Sequence, residues 1–135
     1  MSETTRATWE ALAQRCREAT ASDILLDGDI EIAADQIPAG YTRRDSITWI
    51  YPVPPFIQLV YSAKPLTTSI DAIVSLIEKT LPGKAWEIAS PYSWSGENAL
   101  SAADVGLNRE YATTPALALC AAYCTARAGM EDDAP

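Results

Sequence analysis

The chain reads as a single α+β domain: an N-terminal helix, a small mainly antiparallel sheet, a middle helix over 68–81 and a buried C-terminal helix over 115–128. Three observations predict this. Apolar residues recur at helical spacing in separate stretches near the start, the middle and the end. Between them lie short runs rich in β-branched and aromatic residues, bounded by Pro and Gly. The 135 residues are 48% hydrophobic and 21% charged, which suits one domain with its own core.

The first helix is predicted over 5–20, with Trp9, Leu12, Ala13, Cys16 and Ala19 on one stripe. Ser22-Asp23 offers a break and a cap for the next element. Residues 24–37 read two ways. Ile30, Ala33, Ala34 and Ile37 share the face of a short helix from about 29 to 36, whereas Ile30-Glu31-Ile32 alternates like a strand. The helix is favoured, and Pro38-Ala39-Gly40 ends either element.

Ile47 to Tyr51 predicts a strand. Pro52, Pro54 and Pro55 lack a backbone donor and are not expected inside a central strand. Phe56 to Tyr61 fits a second strand or an extended loop. Thr68 with Asp71 then makes a capping-box-like start, and Ile70, Ile73, Val74, Ile77 and Leu81 form the stripe of the middle helix. Pro82-Gly83 stops it.

Ala85 to Ala89 predicts a strand, followed by a loop carrying Pro91, Tyr92, Trp94 and Gly96. Residues 99–105 are expected to return as a strand, and Gly106 to Tyr111 as a connection. Thr114 at the cap and Pro115 in the first turn open the last helix. Its Ala, Leu and Cys content places it at the centre of the domain. Gly129 is expected to end it, leaving 129–135 as an acidic, frayed tail. Nothing divides the chain, so 1–135 is read as one domain.

The formal charge is −8, from 18 acidic and 10 basic residues. Arg43-Arg44 is the only adjacent basic pair, and from Glu18 to Asp35 six carboxylates occur with no basic residue. Double-stranded nucleic acid, which demands clustered cations, is therefore an unexpected partner. A pocket for one small anion remains compatible with this charge. No apolar run approaches the roughly 18–20 residues that span a bilayer. Met1 to Arg6 is polar, unlike a signal peptide, so a cytoplasmic location away from membranes is expected.

There is no histidine, which removes Ser-His-Asp and Cys-His catalysis and the usual zinc sites. No catalytic set, metal centre or cofactor is expected. Catalysis by carboxylates alone stays chemically open, but the spacing selects no pair. Cys120 and Cys124 share a helix face, and with Cys16 they fall short of the four ligands of a closed zinc site, so all three are assigned to packing. Asp27, Asp29, Glu31 and Asp35 lack the order of a calcium loop and are read as negative charge at a helix N-terminus.

The remaining candidates combine aromatic faces with cations, a pairing suited to a planar, anionic ligand. Tyr41, Arg43, Arg44, Trp49 and Tyr51 lie in one proline-flanked region; Lys84, Trp86, Tyr92, Trp94 and Arg109 lie around the later strands. Trp49 and Trp86 are expected in the core. Arg43, Arg44, Lys84, Tyr92, Trp94 and Arg109 are the candidate contacts for a small nucleotide-like ligand, with a homo-oligomer interface as one place to build the pocket.

From Pro65 onward the sequence resembles a family of small, uncharacterised proteins encoded by bacteriophages and prophages. The resemblance is carried by Thr68-Ser69-Ile70-Asp71-Ala72, Trp86-Glu87-Ile88 and Thr114-Pro115-Ala116-Leu117-Ala118-Leu119-Cys120-Ala121-Ala122. The N-terminal helix together with Leu26-Asp27-Gly28-Asp29-Ile30-Glu31-Ile32 is also similar. These segments are helix caps and faces, covering about half the chain, so they imply a shared fold and carry no catalytic residue across. A phage setting implies an accessory protein in the host bacterial cytoplasm. It brings three expected roles: capture of a nucleotide-like ligand of a host defence pathway, inhibition of a host protein by direct binding, or, third, mimicry of DNA by acidic surface. The second role predicts an exposed apolar patch.

Overall fold

A computed structural model describes residues 5–89 and 100–131. The order is α1 (Arg6–Glu18), α2 (Ile24–Ala33), β1 (Thr42–Arg43), β2 (Thr48–Val53), β3 (Ile57–Ser62), α3 (Ile70–Thr80), β4 (Trp86–Ala89), β5 (Ser101–Val105), β6 (Asn108–Ala112) and α4 (Pro115–Glu131). The α+β class holds, but the strands form two antiparallel three-stranded sheets, β1-β2-β3 and β4-β5-β6, instead of one.

Helix α1 buries Trp9, Leu12, Ala13 and Cys16, the stripe its spacing predicts. Helix α2 starts at Ile24, earlier than the expected residue 29. The carboxylate of Asp23 accepts from the amides of Leu25 and Leu26 at 3.0 and 3.1 Å, and this cap starts the helix at Ile24. The helix also ends before Pro38. Asp35 takes a φ of +59°, and the amides of Asp35 and Gln36 donate back to the carbonyls of Ile32 and Glu31. That pair of bonds is the Schellman closure, with aspartate where glycine is usual.

In the first sheet Pro52 lies within β2, the middle strand. It is accommodated because β1 reaches only Trp49 and Ile50, so the far end of β2 is paired on one side alone, with Gln58 of β3 opposite Pro52. Phe56 to Tyr61, open between strand and loop, resolves as β3.

Helix α3 is capped by Ser69, whose hydroxyl accepts from Ala72, and not by Thr68. The amides of Thr68 and Ser69 both turn back onto the Pro65 carbonyl, which delays the helix by one residue. In the second sheet residues 106–111 are not a connection. Asn108 to Ala112 pair with β5 through the two-residue turn Gly106-Leu107, where Gly106 has the positive φ (+63°) such turns require. The polar run Asn108-Arg109-Glu110 concealed the strand, because only Ala112 of β6 is buried.

Helix α4 opens on the expected cap, with Leu117 donating to the Thr114 hydroxyl at 3.2 Å. It continues through Gly129 to Glu131, since an interior glycine costs a helix about 1 kcal/mol and does not by itself break it. Every residue from Ala116 to Cys124 is buried. Helices α1 and α3 pack against α4, as do β5 and β6. Trp9 meets Tyr123 edge to face, with ring centres 5.8 Å apart.

The contiguous core draws on α1, α2, α3, the second sheet and α4. Trp49 is buried beneath the first sheet but stands outside that cluster. Trp86, expected in the core, is 38% exposed. It sits on β4, the edge strand that α4 does not cover; α4 packs on β5 and β6. Among the described residues no helix is long and apolar enough to cross a membrane.

Candidate functional site

The acidic residues of α2 each have a separate structural task. Only Asp27 lies in the first turn, so the set is not a helix N-terminus. Asp27 is buried and accepts from the Thr67 amide at 2.7 Å, and burial raises its pKa above the ordinary carboxylate value. The Thr67 hydroxyl in turn accepts from the Asp23 amide at 2.9 Å, closing the link between α2 and the segment before α3. Asp29 pairs with Arg15 of α1 at 2.7 Å and Arg43 of β1 at 3.2 Å. Glu31, 2% exposed, accepts from the Tyr61 hydroxyl at 2.5 Å and from the Lys64 amide at 3.4 Å. Burial and the adjoining Glu31 charge push the Tyr61 phenol well up.

These bonds seat the base of the first sheet on α2. Gly28 makes the fit possible: a Cβ there would clash with the Ser46 carbonyl oxygen and meet the Trp49 ring at 3.2 Å. Opposite Trp49 on the same strand face is Tyr61, ring centres 6.2 Å apart. Further along that face the register continues with Tyr51 opposite Leu59 and Val53 opposite Ile57. Tyr51, Ile57 and Leu59 are exposed, Val60 on the other face is 56% exposed, and Phe56 at the tip is 95% exposed. Strand β3 carries no charged residue, and its outer edge has no neighbour among the described strands.

The predicted ligand residues do not converge. Arg43 stacks over Trp49 at 5.1 Å, bonds to the Ser46 and Asp45 carbonyls and pairs with Asp29, so its guanidinium belongs to the seat of the sheet. Arg44 is exposed beside it. Arg109 lies in the other sheet, directly across from Asp104, and forks both carboxylate oxygens at 2.8 and 3.0 Å. That pair holds the Asp104 carboxyl below its usual range. Lys84 is exposed, its chain lying beside Gly106. Tyr92 and Trp94 lie outside the described residues.

Two further clusters come together in the fold. A pocket of about 180 Å³ lies between α2, the end of β3 and α3, lined by Glu31, Gln36, Tyr61, Lys64, Ser75 and Lys79 among others. The readable signal for it was the i, i+4 spacing of Asp27 and Glu31, which puts both on the face of Leu26 and Ile30 once the helix starts at Ile24. The second cluster is the three thiols. The neighbouring Cys120 and Cys124 thiols draw the Cys16 thiol down, whereas burial pushes those two well up. The Cys120 thiol donates to the Leu66 carbonyl at 3.2 Å. Among the described residues no group of three or more ligating side chains is arranged to hold a metal.

No protein-family model, curated protein or solved structure matches the chain.

Proposed function

We propose that the chain is a binding protein that engages another protein through the β2–β3 ribbon, adding an extended segment of that partner to the open edge of β3. The observation that carries this reading is the ribbon itself. An edge strand is a template for further pairing, and proteins commonly blunt it with charge, proline or cover. Here Ile57 to Ser62 has none of the first two, and apolar side chains project from both faces. Backbone pairing supplies affinity in such an interface, and alternate side chains supply selectivity.

Charge favours a different protein over a second copy. Two chains of net charge −8 repel each other, whereas a neutral or basic apolar segment meets no such opposition. The phage setting that the sequence resemblance implies makes a host protein the expected target. Capture of a nucleotide-like ligand has less support, because Arg43 and Arg109 are committed to carboxylates within the fold.

A photo-crosslinking residue placed at Gln58 tests the proposal in bacterial lysate. The expected result is a heterologous adduct that maps to β3 and is lost when Leu59→Lys is added. An adduct only between copies of the chain would replace the partner with self-association. Absence of any adduct at this position would overturn the reading.

A further inference from the structure

The pocket beneath the ribbon is a second and independent feature. Glu31 forms its floor, almost wholly removed from water, and among the described residues it makes no ion pair. A buried carboxylate met only by hydroxyl and amide donors lacks its natural counter-ion. Lys64 and Lys79 line the same space. The Lys64 ammonium rests 5.6 Å from the centre of the Tyr61 ring, and neither lysine is ion-paired among the described residues.

The cleft of about 390 Å³ between α1 and the end of α4 is different in this respect. Its cations Arg6 and Arg17 are bound to Glu10 and Glu110, so its charges are already matched. In the Glu31 pocket one anion and two cations stay unmatched around a cavity well below the roughly 300–1,000 Å³ of sites for drug-sized ligands. Gln36 and Ser75 add neutral hydrogen-bonding groups to the wall.

We infer that this pocket binds a small zwitterion of the amino-acid class, its ammonium directed to Glu31 and its carboxylate to Lys64 and Lys79. The ligand supplies the missing counter-ion at the floor and takes up the unpaired lysines with its opposite end. A molecule bearing only one of the two charges leaves half of the set unmatched.

The test is thermal unfolding of the whole chain with each of the twenty standard L-amino acids at millimolar concentration, against matched sodium chloride, butylamine and butyrate. At least one amino acid is expected to raise Tm in a saturable way while the single-charge compounds do not. Lys79→Met is expected to weaken that ligand at least tenfold, and Glu31→Gln to abolish the shift. Lys79 lies on the exposed side of α3, so its variant tests the site even if Glu31→Gln does not fold. No shift from any amino acid, or a shift unchanged in Lys79→Met, would overturn the assignment.

Discussion

The Tyr61 hydroxyl lies 2.5 Å from Oε1 of Glu31, joining the exposed β3 ribbon to the buried face of α2. Hydrogen bonds to charged groups contribute about 1.5–3 kcal/mol, and a buried acceptor that loses its donor also keeps its desolvation cost. Tyr61→Phe removes only the hydroxyl. It is expected to destabilise the chain by about 1.5–3 kcal/mol in urea unfolding. A second Tyr61→Phe change in a Glu31→Gln background should cost less, and equal costs in the two backgrounds would show that the pair is not coupled.

Asp27 gives a pH signature of defined sign. Its unfolded carboxyl titrates near 3.8, and burial raises the folded value. Between the two values the native state holds more protons than the unfolded state, so this group's contribution falls as pH rises through that window. Asp27→Asn keeps an oxygen for the Thr67 amide and removes the charge. The variant should therefore gain stability relative to the parent as pH rises from the unfolded carboxyl value through the raised folded value, measured as the difference in urea midpoints. A difference that shrinks over the same range would contradict the assignment.

Gly28 sets helix propensity against docking. Alanine in a helix interior is better than glycine by about 1 kcal/mol. At this position its methyl runs into the Ser46 carbonyl oxygen, a backbone atom that moves only if the sheet moves. Gly28→Ala is expected to lower overall stability and to speed proteolysis within residues 44–60. A more stable variant with unchanged proteolysis would show that the sheet is not seated on α2 in this way.

The thiol cluster predicts protection. Cys16, Cys120 and Cys124 are all buried, so a lowered pKa at Cys16 gives no reactivity without access. An aromatic disulfide reagent is expected to label the folded protein at a rate set by unfolding, and three thiols per chain after denaturation. Rapid labelling of any one thiol in the folded state would show that the α1–α4 contact opens.

The sequence by itself determined α1, α3 and α4 and most of the core that they bury. The stripe of α1, the Thr114 cap and the apolar body of α4 are local periodicities, and each is buried or bonded as its spacing predicts. Local rules also explain most boundary differences. Asp23 and Ser69 are caps whose use depends on which neighbouring amide is left without a partner, and Asp35 ends α2 by taking a left-handed φ. Strand β6 and the position of Trp86 depended on which strand α4 covers, which no local pattern records.

Which residues of the candidate site come together was decided by tertiary structure. Arg43 looked available until Asp29, a helix away, was placed against it, and Arg109 until the hairpin register put Asp104 opposite. Glu31, Tyr61, Lys64 and Lys79 come from different parts of the fold and share no spacing. The exposed outer half of the ribbon has the same residue types as its buried base. Trp49 lies over Gly28 and is buried whereas Leu59 is exposed, because burial depends on what lies across from a residue as much as on the residue itself.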